Sequence, residues 1–89
     1  MIERELLVAN KLGLHARATA KLVQVLSGFR SGATIAAKGR EVNAKSIMGV
    51  MLLAAGQGTP VTVRIEGEDE AAAMQEVVSL FERRFDEDA

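Results

Sequence analysis

The one histidine of the 89-residue chain, His15, precedes a segment with helical periodicity, and Arg17 follows two positions later. We predict that His15 lies at or beside the N-cap of this helix. The backbone amides of Ala16 and Arg17 then lack intrahelical partners and attract an anion. A neutral imidazole is a nucleophile at about pH 7, and a guanidinium binds phosphate oxygens in pairs. Together these residues predict a site that binds and transfers a phosphoryl group.

The strength of such a site favours transfer over storage. A helix N-terminus stabilises an anion by about 0.3–1 kcal/mol, and about 1.4 kcal/mol corresponds to a factor of ten in an equilibrium constant. A phosphoryl group held in this way can be released again, as a relay requires. The alternative interpretation is that His15 is only a solvated or capping residue and that Arg17 is an ordinary surface charge.

A second candidate segment begins at Ser46, which we predict to be the N-cap of a short helix from Ile47 to about Leu53. Two turns of helix cannot bury every apolar side chain of this segment, so we assign Val50 and Leu53 to the core. The remaining apolar residues suit a surface that meets several partners, because methionine side chains adapt to different shapes. We predict a docking surface of exposed apolar residues with two lysines at its rim: Ile47, Met48, Met51, Lys21 and Lys45.

The elements that must position these residues follow from apolar periodicity. A helix from Ala16 to Ser27 is predicted to end at Gly28, since glycine commonly follows the last helical turn. Its apolar face is predicted to contain Ala18, Leu22, Val25 and Leu26. The predicted strands are Ile2 to Val8, Ala33 to Ala37, Arg40 to Asn43 and Val61 to Ile65.

The last helix is predicted to begin at the acidic run from Glu68 to Glu70, because negative charge suits a helix N-terminus. Arg83 and Arg84 lie near its other end. The residues from Asp86 to Asp88 are all acidic, and we predict that they form a frayed tail. The buried side of this helix is predicted to consist of Met74, Val77, Val78, Phe81 and Phe85.

The predicted order of elements is β-α-β-β-α-β-α, and each long helix has one apolar face. This pattern predicts an α/β (α+β) fold, a two-layer sandwich with both long helices on one side of a four-stranded sheet. The length is that of one domain, spanning residues 1–89.

Composition argues against several classes of protein. With no cysteine and one histidine, we expect no disulfide, no zinc site of the ordinary type and no cofactor. A formal net charge of −1 with dispersed lysine and arginine argues against nucleic-acid binding. No apolar run approaches the roughly 20 residues that span a bilayer, and the first residues do not form a signal-peptide pattern. We therefore expect a cytoplasmic protein that does not insert into a membrane.

Two runs of the sequence resemble motifs of the histidine-containing phosphocarrier protein family, HPr. The phosphorylation-site signature of that family is similar to Gly13-Leu14-His15-Ala16-Arg17, and its second motif is similar to Lys45-Ser46-Ile47-Met48-Gly49-Val50-Met51. The length and the element order agree over the whole chain. The resemblance implies an open-faced sandwich with an antiparallel sheet, and we expect a monomer.

The resemblance also implies a specific chemistry and specific partners. Enzyme I, phosphorylated from phosphoenolpyruvate, would transfer the phosphoryl group to Nδ1 of His15 with assistance from Arg17. The group would then pass to an enzyme II A-type domain, either of a sugar-specific permease or of a nitrogen-related regulatory enzyme. The protein would be a stoichiometric carrier rather than an enzyme. In some bacteria the serine that matches Ser46 is phosphorylated by an HPr kinase/phosphorylase.

A rival hypothesis is a regulatory protein-interaction module, whose binding is switched by phosphorylation at His15 or Ser46. Retained effector function in a variant without the imidazole would favour that module. A third hypothesis, a ligand-sensing domain, requires a discrete small-molecule pocket, and nothing in the sequence points to one.

Overall fold

The computed structural model describes residues 1–87. In chain order the elements are β1 (Ile2–Leu7), α1 (Ala16–Ser27), β2 (Gly32–Ala37), β3 (Arg40–Asn43), α2 (Ile47–Met51), β4 (Pro60–Glu66) and α3 (Glu70–Glu82). A short 3-10 turn, Arg84–Asp86, follows α3. Within this part of the chain no helix is both long enough and apolar enough to cross a membrane.

The four strands form one antiparallel sheet in the order β1-β4-β2-β3. Strand β4 alternates between buried Val61, Val63 and Ile65 and more exposed polar residues, so one face of the sheet is apolar. Buried side chains of α1 and α3 belong to the same hydrophobic cluster as these strand residues. The open-faced α/β sandwich, its element order and the antiparallel sheet are therefore confirmed.

Helix α1 has the predicted bounds, and its buried side differs from the prediction at two positions. Val25 is only partly buried, whereas Thr19 is fully buried. The Thr19 hydroxyl donates a hydrogen bond to the carbonyl of Leu14 at 3.0 Å, which satisfies this polar group inside the core.

Two elements were predicted to extend further along the chain than they do. Strand β1 ends at Leu7, although the amide of Val8 still donates to the carbonyl of Thr59 at 3.1 Å. Helix α2 ends at Met51, because Leu52 is its C-cap and Ala54 takes a left-handed conformation with φ of 48°. Leu53 nevertheless lies in the core with Val50, as predicted.

The end of the chain requires the largest correction. Helix α3 ends at Glu82, and Phe85 lies beyond it in the 3-10 turn. Arg84, Phe85 and Asp86 all have positive φ, between 54° and 60°, so the backbone turns sharply after the helix. Phe85 is fully buried, and its ring centroid lies 4.8 Å from that of Phe81. The prediction that Phe85 is buried was right, and the prediction that it belongs to the last helix was wrong.

The buried side of α3 also contains residues that the predicted stripe omits. Val78 is only partly buried, whereas Ala73 and Leu80 are buried together with Met74, Val77 and Phe81. Arg83 is the C-cap of this helix, which agrees with its predicted place near the negative end.

Candidate functional site

His15 is the N-cap residue of α1, with an extended backbone at φ −75° and ψ −179°. Its carbonyl accepts the first helical hydrogen bond, from the amide of Thr19 at 2.9 Å. Its side chain makes no capping hydrogen bond, and 27% of that side chain is exposed. The imidazole is therefore at the surface and is not used to close the helix end.

The loop before His15 is held against the segment that follows α2. The amide of Leu14 donates to the carbonyl of Ala55 at 2.9 Å. Gly13 has φ of +66°, and a Cβ at this position would lie 2.5 Å from the same carbonyl oxygen. Only glycine combines this backbone conformation with so close an approach. The position of His15 thus depends on a contact with a distant part of the chain.

The imidazole has one hydrogen-bond partner among the described residues. Its Nε2 lies 2.5 Å from Oε2 of Glu87, whose other oxygen accepts a hydrogen bond from Nδ2 of Asn10 at 2.9 Å. Partial burial tends to raise the pKa of Glu87, but the hydrogen bonds from Asn10 and His15 prevail and hold it below its usual value. An ionised carboxylate only accepts hydrogen bonds, so Nε2 carries the proton and Nδ1 of the neutral ring keeps its lone pair.

The helix end beside the ring is open. Within residues 1–87 the amides of Ala16 and Arg17 have no hydrogen-bond acceptor, and Nδ1 of His15 has no partner. Arg17 is exposed, as expected for a side chain that meets an anion from solution. This arrangement presents a nucleophilic nitrogen, free amides and a guanidinium in one place.

A shallow cleft surrounds the imidazole and combines charges of both signs. It is lined by Lys11, Leu12, His15, Ala16, Arg17, Lys21, Asp86 and Glu87. Three lysine and arginine side chains thus face two carboxylates, which favours an anion that can still leave. Among residues 1–87 no group of three His, Asp or Glu side chains could hold a metal ion.

The two lysines predicted at the rim of the docking surface both bind backbone carbonyls. Lys21 donates through Nζ to the carbonyl of Phe85 at 2.7 Å, and it lies 3.8 Å from a carboxylate oxygen of Asp86. Lys45 donates to the carbonyl of Phe29 at 2.9 Å. Lys21 therefore lies in the His15 cleft and ties the C-terminal turn to α1.

Ser46 is the N-cap of α2, as predicted. Its hydroxyl oxygen accepts a hydrogen bond from the amide of Gly49 at 3.1 Å. The carbonyl of Ser46 accepts a second bond, from the amide of Val50 at 3.0 Å. The unmodified serine therefore has a structural role as the cap of α2.

The apolar residues of the predicted docking surface are exposed. The accessible fractions are 43% for Ile47, 77% for Met48 and 42% for Met51. Two apolar residues that the sequence reasoning did not assign, Leu12 and Leu52, are also exposed. Leu12 lines the cleft around His15, so exposed apolar surface is present beside the imidazole as well.

The sequence reasoning missed Asn10 and Glu87 as parts of the site. Asn10 is fully buried and donates to both the carbonyl of Gly13 and the carboxylate of Glu87. The acidic run from Asp86 to Asp88 predicted a frayed tail, which is wrong for Asp86 and Glu87, while Asp88 lies outside the described residues. Glu87 is held by hydrogen bonds, and Asp86 accepts one from Nε of Arg83 at 2.9 Å. The one feature of the sequence that could have indicated an ordered Glu87 was Phe85. Burial of its ring holds the adjacent residues against the domain.

The fold and the site define a small open-faced α/β sandwich whose surface imidazole, beside an uncapped helix end, is a candidate site for an anionic group. A family model described as "PTS HPr component phosphorylation site" matches residues 2–83. A phosphocarrier protein HPr from Xylella fastidiosa is 70% identical over 88 residues, which are 99% of each chain. One from Cupriavidus necator is 51% identical over 98% of each chain.

A solved structure agrees with these similarities. The crystal structure of an HPr from Thermoanaerobacter tengcongensis matches with a TM-score of 0.96 and 43% identity, covering all of both chains. The chain belongs to the HPr family, the phosphocarrier proteins of the phosphotransferase system.

Proposed function

We propose that His15 carries the phosphoryl group on Nδ1. The observation that supports this most directly is the hydrogen bond between the imidazole and Glu87. Nε2 is bonded to Glu87 at 2.5 Å, so the unprotonated nitrogen is Nδ1, and it has no partner within residues 1–87. The phosphoryl oxygens would then meet the open amides of Ala16 and Arg17, and the Arg17 guanidinium would bind them from the solvent side.

We propose that the protein acts as a stoichiometric carrier in a single domain. Enzyme I would supply the phosphoryl group, and an enzyme II A-type domain would remove it. The exposed apolar residues of α2 support a docking role, because a carrier must meet different partners through one surface. The relay would run in the cytoplasm, and the carrier would act as a monomer.

Ser46 is proposed as a regulatory site for an HPr kinase/phosphorylase. A phosphate at this N-cap would lie beside the exposed Ile47 and Met48 without unfolding α2, because negative charge is tolerated at a helix N-terminus. It would place roughly two negative charges on the docking surface and repel an acidic partner.

The test is phosphorylation of the purified protein by enzyme I and phosphoenolpyruvate. We expect an acid-labile, base-stable phosphoprotein, and His15→Ala should lose the label completely. Arg17→Ala should slow transfer by roughly tenfold to a hundredfold, the range expected for a lost charge-assisted hydrogen bond of about 1.5–3 kcal/mol. Arg40→Ala, which removes an exposed arginine in β3, serves as the matched control and should transfer at the parental rate. Label that persists in His15→Ala would exclude His15 as the acceptor.

A further inference from the structure

We propose that Glu87 is a positioning residue for phosphoryl transfer. Its carboxylate holds the Nε2–H of His15, so that the lone pair of the neutral ring lies on Nδ1, and it stabilises the positive charge that the ring acquires when Nδ1 bonds to phosphorus. This inference rests on the proposed role of His15 as the phosphoryl acceptor.

The carboxylate of Glu87 is fixed at both of its oxygens. Only 13% of the side chain is exposed, and one oxygen accepts from Asn10 at 2.9 Å while the other lies 2.5 Å from Nε2 of His15. Asn10 is itself fully buried and also donates to the carbonyl of Gly13 at 2.8 Å. A single amide group therefore fixes both the carboxylate and the loop that carries the imidazole.

The backbone that delivers Glu87 is also held in place. Arg84, Phe85 and Asp86 have left-handed conformations, which non-glycine residues keep only when the surrounding structure holds them. Burial of the Phe85 ring and the hydrogen bond from Lys21 to the Phe85 carbonyl supply that support. The turn returns the chain from the end of α3 to the start of α1, where Glu87 meets His15.

The step that Glu87 would assist balances in charge and bonds. The lone pair of Nδ1 forms the N–P bond, and the bond between phosphorus and the donor atom breaks with its electron pair on the donor. The proton on Nε2 stays in place, so the phosphorylated ring gains one positive charge directly opposite the carboxylate. A carboxylate acts in the same way on the imidazole of a serine protease triad, where it fixes the tautomer and stabilises the imidazolium.

The other charged groups around the ring cannot replace this contact. Lys11, Arg17 and Lys21 carry positive charge, and the carboxylate of Asp86 is bonded to Arg83. Glu87 is the carboxylate that reaches Nε2 within residues 1–87. Its removal should therefore leave the tautomer of His15 without a fixed partner.

The experiment compares Glu87→Gln and Glu87→Ala with the parental protein in two measurements. The first is the ¹⁵N spectrum of the imidazole at a pH where the ring is neutral, which distinguishes a proton on Nε2 from one on Nδ1. The second is the single-turnover rate of transfer from phosphorylated enzyme I. Glu82→Gln, which removes the same charge from an exposed position on α3, is the matched control.

We expect the parental ring to be almost entirely the Nε2–H form. Glu87→Ala should give a mixture of tautomers and transfer roughly tenfold more slowly, and Glu87→Gln, which keeps an acceptor but not the charge, should keep the tautomer and lose part of the rate. The control should match the parent in both measurements. Unchanged tautomer and unchanged rate in Glu87→Ala would overturn the inference. A parental protein that takes no label on His15 would instead overturn the proposed function, and the ¹⁵N spectra would still report on the Glu87 contact.

Discussion

The N-termini of α1 and α2 both follow a cap residue with an extended backbone, but the two cap side chains differ in what they contact. Ser46 turns its hydroxyl back to the amide of Gly49 and closes the end of α2. His15 makes no such bond, and its ring contacts Glu87 instead. A side-chain cap satisfies one of the amides that a helix start leaves unpaired, whereas an uncapped end keeps that amide for a ligand.

The N-terminus of α3 provides a third case. Asp69 precedes this helix but makes no capping bond to it. Its carboxylate accepts hydrogen bonds from the Ser31 hydroxyl and from the amides of Arg30 and Ser31. A polar residue at a helix start can therefore cap, clamp a neighbouring loop, or remain free for chemistry, and its contacts distinguish these roles.

The open end of α1 should depend most strongly on Gly13. Gly13→Ala would place a methyl group 2.5 Å from the carbonyl oxygen of Ala55 in a left-handed conformation, so the loop must move. We expect a loss of roughly 2–3 kcal/mol in the free energy of unfolding, measured by urea denaturation. Gly58→Ala is the matched control, because Gly58 has φ of +86° with no atom within 4 Å, and it should cost only about 1 kcal/mol. Equal losses in both variants would show that the close approach at Gly13 does not matter.

The cap comparison predicts that serine stabilises both helix starts relative to alanine. Ser46→Ala removes the bond to Gly49 and should lower the free energy of unfolding by about 1 kcal/mol. His15→Ser should be more stable than His15→Ala by about 0.5–1 kcal/mol, since it adds a cap to an open end, and neither variant should accept phosphate. Urea unfolding of these proteins measures both differences. If His15→Ser were no more stable than His15→Ala, the end of α1 would not be open.

The smallest expected effect is the pH dependence due to Asp69. Hydrogen bonds, first from the Ser31 hydroxyl and then from the Arg30 amide, lower the pKa of Asp69 below its usual value. The unfolded chain then binds a proton at higher pH than the folded one. The contribution of Asp69 is therefore complete above its unfolded pKa of about 3.9 and is lost as pH falls through the lower folded pKa.

Thermal unfolding of the parent and of Asp69→Asn between about pH 6 and pH 2 measures this loss. The difference in stability between the two proteins should shrink as the pH falls. Glu66→Gln, at an exposed position on β4, is the control and should keep a nearly constant difference from the parent. A constant difference for Asp69→Asn would contradict the assigned cause of the pKa shift.

Short-range patterns predicted much of this molecule. The caps at His15 and Ser46 could be placed because a helix start depends on the few residues around it. The alternation of Val61, Val63 and Ile65 predicted a half-buried strand for the same reason. The path after Glu82 could not be predicted, since Arg84, Phe85 and Asp86 adopt left-handed conformations without a glycine to indicate them.

Local sequence is sufficient to place an imidazole at the start of α1 and a guanidinium in its first turn, because both follow from the position of one helix. Only the tertiary structure supplied the partner of Nε2 of that imidazole. Glu87 lies 72 positions from His15 along the chain, and its contact depends on a buried aromatic ring, a buried amide and a turn that act together. Such a contact arises from packing between distant segments, and packing has no signature in the residues on either side of His15.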